Sequence, residues 1–171
     1  MKKFVMWGLV ALSLASIQAQ AQVKLNSHHS VDIKASIQDV WEATKDFDGL
    51  ANWHPMFSDS HLTSGDNGQV GSTRSITIKD GPTFEEELLT YDDVDRKFSY
   101  KVFDPNPLPI AEYVSVFEVI EGRRGHTTII WRSNYLNNSE GKMTDDELIA
   151  FLNGAYKAGL DNVKNTLENK Y

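Results

Sequence analysis

Between Gln22 and Ile33 apolar and polar positions alternate weakly, as a half-buried strand requires. The rhythm changes at Ser36. After it, Ile37, Val40, Trp41, Ala43, Thr44 and Phe47 fall on one helical face. Ser36 stands three residues ahead of Asp39, the spacing of a capping box. Gly49 and Pro55 then bracket at most one further short turn of helix. From Ser58 to Asn137 the alternation returns, in runs separated by Gly, Asp and Asn. The segment "PNPLP", residues 105–109, is a rigid break that favours extended backbone. "EYVSVFEVIEG" and "HTTIIWRSNYL" predict two more strands joined by "EGRRG". From Thr144 to Glu168 the period is helical once more: Leu148, Leu152, Ala155, Tyr156, Gly159, Leu160, Val163 and Leu167 share one face. Asp145 and Asp146 suit the first turn of that helix, where the backbone dipole favours negative charge.

The predicted order is therefore strand, one or two short helices, about six strands, and one long helix. Strands joined by short loops pair antiparallel. A sheet with one apolar face must cover it, and the long C-terminal helix is the one large amphipathic cover on offer. The expectation is an α+β grip of about seven curved antiparallel strands wrapped around that helix.

Parity along the strands decides which side chains face the helix. Ile76 and Ile78 mark the inner face of "RSITI", and Arg74 shares their parity. Phe84 and Leu88 do the same for "FEEELLTY", which brings Glu86 inward. A three-residue loop, Lys79-Asp80-Gly81, sets Ile78 opposite Pro82 and hence Arg74 opposite Glu86. Inward charges are costly unless paired. The pair reads either as a polar anchor within a cavity or as an ion pair near a sheet edge. Tyr113, Ser115, Phe117 and Val119 share one face, and Ile129, Trp131, Ser133 and Tyr135 another. Aromatic rings mixed with hydroxyls suit a pocket wall better than a plain aliphatic core. Ala155 and Gly159 are small residues on the buried helix face; they either leave space or admit a close neighbour.

The first 21 residues, "MKKFVMWGLVALSLASIQAQA", change the picture of size and place. Two lysines, an apolar run from Phe4 to Ile17 and Ala19-Gln20-Ala21 have the form of a cleavable secretory leader. Residues 22–171 are then expected as a single domain, exported to the periplasm or secreted, with no stable membrane anchor after cleavage. The chain contains no cysteine, which removes disulfides, thiolate nucleophiles and cysteine metal sites. Its net charge is −7. Without Lys2 and Lys3, 15 basic residues face 24 acidic ones, giving −9. Such a field repels phosphate, so nucleic acid is not an expected partner.

Recognisable catalytic signatures are absent. There is no Gly-x-Ser-x-Gly elbow, P-loop, GxGxxG or HExxH. His28 and His29 are neighbours on a strand and point to opposite faces, a poor start for one metal site. No metal or cofactor is expected. His54, between Trp53 and Pro55, is the side chain that titrates near neutrality in a suggestive setting.

The series Trp53-His54-Pro55, Arg74, Glu86, Tyr113 and Trp131 occurs within "DFDGLANWHP", "GSTRSI", "EELLTYDD", "PLPIAEYVSVFEV" and "TTIIWRSNY". A long helix with "AYKAGLDNVKNTLE" follows. This order resembles the polyketide cyclase/dehydrase and lipid-transport family of the START-like (SRPBCC) superfamily, over nearly all of Val23 to Glu168. The resemblance implies a helix-grip fold with an internal cavity. Its members bind lipids, sterols, plant hormones or polyketides, and some are aromatase/cyclases. It further implies Trp53 and His54 at a mouth loop, with Arg74, Glu86, Tyr113 and Trp131 inside. The secretory leader departs from the many members that look cytoplasmic.

The function expected is binding or transport of a small hydrophobic or amphipathic ligand. Arg74 would attract an oxygen-rich head group, Ser133 and Tyr156 would join the lining, and His54 would contact or gate the ligand. The alternative is a cyclase/dehydrase-like enzyme in which His54 and Glu86 handle protons.

Overall fold

The computed structural model describes residues 22–169. The leader peptide read over residues 1–21 lies outside them. Seven strands form one antiparallel sheet: β1 (Leu25–Ile33), β2 (Phe57–Ser64), β3 (Thr73–Ile78), β4 (Thr83–Asp92), β5 (Lys97–Val102), β6 (Ile110–Glu121) and β7 (Thr127–Asn137). Their spatial order is β1-β7-β6-β5-β4-β3-β2. The chain thus leaves β1 at one edge and crosses to β2 at the other. It does so through two short helices, α1 (Ile37–Thr44) and α2 (Leu50–Trp53). From β2 it meanders back by hairpins until β7 pairs with both β6 and β1. The long helix α3 (Asp145–Glu168) then packs over the inner face.

Local chemistry explains the element boundaries. Ser36 caps α1, its hydroxyl accepting the Asp39 N–H at 3.1 Å. Thr144 caps α3 in a complete capping box with Glu147. Asp145, Asp146 and Glu147 occupy the positive end of that helix. The predicted α1 face is one turn too long. The helix stops at Thr44, Asp46 is extended, and Phe47 reaches the core from a separate 3₁₀ turn at Phe47–Gly49. Ala43, expected inside, is exposed.

The β3–β4 hairpin has the expected register, with Arg74 opposite Glu86 and Ile76 opposite Phe84. The Ile78 N–H donates to the Pro82 carbonyl at 3.1 Å, closing the three-residue loop. The core is the inner face of the sheet together with Leu148, Leu152, Tyr156, Leu160, Val163 and Leu167 of α3. Among the described residues no helix is long and apolar enough to cross a membrane.

Candidate ligand cavity

The sheet and α3 do not close completely on each other. A cavity of about 310 Å³ lies between them. Its walls are mostly aliphatic and aromatic: Phe84 from β4, Tyr100 and Val102 from β5, Tyr113 from β6, Trp131 from β7, Leu152 and Tyr156 from α3. Three lining residues are exposed: Pro82 at the hairpin tip, Pro107 in the proline-rich loop, and Phe151 on α3 at 47%. They mark the opening.

Among the described residues Glu86 is the one carboxylate in the lining. Its Oε2 receives two N–H bonds from Arg74, from Nε at 2.8 Å and Nη2 at 2.5 Å. The third arm of the guanidinium, Nη1, donates to the Phe47 carbonyl. The guanidinium plane rests 4.1 Å from the Phe47 ring centre and 5.1 Å from that of Tyr100. All three nitrogens of Arg74 are therefore engaged, and it does not line the cavity. This corrects its expected role as an anchor for a ligand head group: the carboxylate, not the guanidinium, faces the cavity. Burial pushes the Glu86 carboxyl above its ordinary range, while the adjacent Arg74 charge pulls it down.

Phenol hydroxyls add to the polar part of the lining. The phenol oxygens of Tyr113 and Tyr156 are 2.7 Å apart, and Tyr156 lies 2.6 Å from Ser133 Oγ. Trp131 donates its indole N–H to Tyr100 at 2.9 Å and to Ser115 Oγ at 3.0 Å. Its ring stacks on Tyr156, with centroids 4.6 Å apart. Burial holds the Tyr100, Tyr113 and Tyr156 phenols above their ordinary range, so they remain neutral donors at physiological pH. Ser133 stands behind Tyr156 rather than in the lining.

Trp53 and His54 differ most from expectation. Neither is at the mouth: Trp53 is 9% exposed and His54 1%. Trp53 packs against His54, Phe117 and Trp131 behind the cavity wall. His54 does line the cavity, but its nitrogens are committed elsewhere. Nδ1 accepts the Met56 N–H at 3.2 Å, which leaves the proton on Nε2, donated to the Ala155 carbonyl at 3.0 Å. Burial, against the pull of the carbonyl bond, lowers its pKa to about 4. The side chain is a neutral clamp between α2 and α3, with no free lone pair for a substrate proton. That removes the residue on which a His54–Glu86 proton relay would depend.

Tyr100 and Phe151 belong to the cavity and were missed in the sequence. Tyr100 shares strand parity with Phe98 and Val102, and that alternation is the signal for it. Phe151 is off the buried stripe of α3, so helical periodicity hides it.

Residues 24–168 match the family described as polyketide cyclase/dehydrase and lipid transport. The chain belongs to that family. Solved structures agree. An uncharacterized protein from Bacillus thuringiensis is 26% identical with a TM-score of 0.74, covering 84% of this chain and 98% of its own. The protein XoxI from Bacillus cereus is also 26% identical at a TM-score of 0.74, covering 83% and 94%. A protein from Nitrosospira multiformis, 18% identical at a TM-score of 0.71 over 85% and 98%, shares the fold. A comparison with curated proteins returns no match.

Proposed function

We propose that this chain is a binding protein for a small apolar or amphipathic molecule held between sheet and helix. One observation carries the reading: an apolar, aromatic cavity of about 310 Å³ with few polar groups, open at one end. Cavities of that kind, with a few convergent polar groups, are the usual form of small-molecule sites. The volume is at the lower end of the ~300–1,000 Å³ common for such sites. With each water taking about 30 Å³ of liquid volume, the occupant has on the order of ten non-hydrogen atoms. Family membership supports the same reading, since lipid transport is part of the family's description. Catalysis is the weaker reading, because His54 is bonded through both ring nitrogens.

The test is native mass spectrometry of the protein purified from its own host, followed by extraction of whatever is bound. A co-purifying apolar molecule supports the carrier. An empty protein that also fails to take up short-chain apolar compounds overturns it.

We also propose that the chain is exported and cleaved after Ala21, on the strength of the lysines, apolar run and Ala-Gln-Ala at residues 2–21. An envelope-fraction protein beginning at Gln22 is the expected result. A cytosolic protein retaining residues 1–21 overturns it.

A further inference from the structure

The lining is unbalanced in one respect. Both Arg74 bonds to Glu86 end on the same oxygen, Oε2. The other oxygen, Oε1, accepts no hydrogen bond from any described residue. Nor is it sealed in: it is not among the enclosed polar atoms that lack a partner, and the Glu86 side chain keeps 5% exposure. Since Glu86 lines the cavity, that exposure is onto the cavity space. An unmet acceptor on a buried carboxylate is costly, and a donor supplied by an occupant would relieve the cost. The two bonds from the Arg74 guanidinium favour the charged form of the carboxylate against the cost of burial. The cavity therefore presents a negative oxygen, not the positive guanidinium behind it.

The surrounding groups sharpen the choice. Tyr100 and Tyr113 are close enough to Glu86 for its charge to act on their ionisation. Both are neutral phenols in the same lining. A second carboxylate placed among these groups would meet a like charge in a medium that screens poorly. A neutral hydroxyl meets an acceptor in Oε1 and phenols able to donate to its own oxygen.

We propose that Glu86 sets the ligand class: a neutral molecule bearing a hydroxyl or similar donor on a short apolar body, with carboxylates excluded. This rests on the carrier reading above and names its ligand.

The experiment compares three probes of similar size on the folded protein. They are 1-octanol, its isomer heptyl methyl ether, which accepts but cannot donate, and octanoate at pH 8. Binding is followed by amide shifts in two-dimensional NMR. Octanol is expected to bind about fivefold or more tighter than the ether, and octanoate more weakly than either. The paired substitution Arg74→Met with Glu86→Leu removes both charges together, which tends to preserve folding better than removing one. In that variant octanol and ether should bind within about twofold of each other, the lost bond to a charged acceptor accounting for the change. Equal binding of octanol and ether by the unmodified protein overturns the Glu86 proposal and leaves the carrier intact. So does octanoate binding as tightly as octanol. If neither octanol nor the ether binds, the carrier reading fails, and this inference with it.

Discussion

The imidazole of His54 fills the space in which a side chain at position 159 would lie. A Cβ on Gly159 would sit 2.4 Å from His54 Cδ2 and 2.8 Å from Nε2. Glycine on the buried face of α3 thus admits the ring, and the ring ties α2 to α3 through the Ala155 carbonyl. Mid-helix glycine costs about 1 kcal/mol relative to alanine. Gly159→Ala recovers that amount but forces a buried ring to move, an overpacking cost of roughly 1–3 kcal/mol, and it threatens the Ala155 bond. The expected outcome is a net loss of stability, read as a lower urea midpoint with an unchanged slope. A rise in midpoint would show that His54 yields without cost.

The same ring gives the fold an acid-sensitive component. His54 titrates near 6.5 when unfolded and is held at about 4 in the folded protein. Between those values the unfolded state binds more protons, so stability falls as pH falls. The His54 contribution is fully present above about pH 6.5 and is lost progressively toward pH 4. A shift of about 2.5 units corresponds to about 3 kcal/mol at most. Chemical denaturation at pH 7 and pH 4.5 should show the loss, and His54→Gln should flatten this part of the profile. An unchanged slope in that variant would assign the acid sensitivity to other groups.

Arg74 and Glu86 should behave as a unit. Both are nearly fully buried, and Arg74 also holds the Phe47 carbonyl. Glu86→Leu alone strands a guanidinium, and Arg74→Met alone strands a carboxylate. Each is expected to cost about 3–5 kcal/mol. The double substitution should cost much less than the sum, giving a large coupling in a double-mutant cycle. Additive losses would mean that the two side chains contribute independently.

Much of this was legible in the alternation of the chain. A three-residue loop and the parity of Ile76, Ile78, Phe84 and Leu88 were enough to set Arg74 opposite Glu86. The cap at Ser36 and the stripe on α3 were equally local. Parity, however, reports only which face a side chain is on. It placed Arg74 inward without showing that each of its three nitrogens would be engaged, two by Glu86 and one by Phe47. Nor could it show that His54 would be turned against α3. That position depends on a glycine 105 residues away in the chain, a relation no local pattern encodes. The resemblance implied a mouth position for His54; the packing of α3 determined otherwise.

Leu152 offers a direct test of whether the space between sheet and helix is what binds. It is 9% exposed and lines the cavity from α3. A larger ring there has an unfilled volume to enter, so Leu152→Trp should avoid much of the overpacking penalty of a close-packed site. The fold should persist, with the far-ultraviolet spectrum unchanged and a denaturation midpoint near that of the unmodified protein. Binding of short-chain alcohols should fall by about tenfold or more, because the indole takes the place of the ligand. Ala150, exposed on the same helix and outside the cavity, supplies the control: Ala150→Trp should leave binding within about twofold. Undiminished binding in a well-folded Leu152→Trp protein would show that ligands are held somewhere other than this cavity.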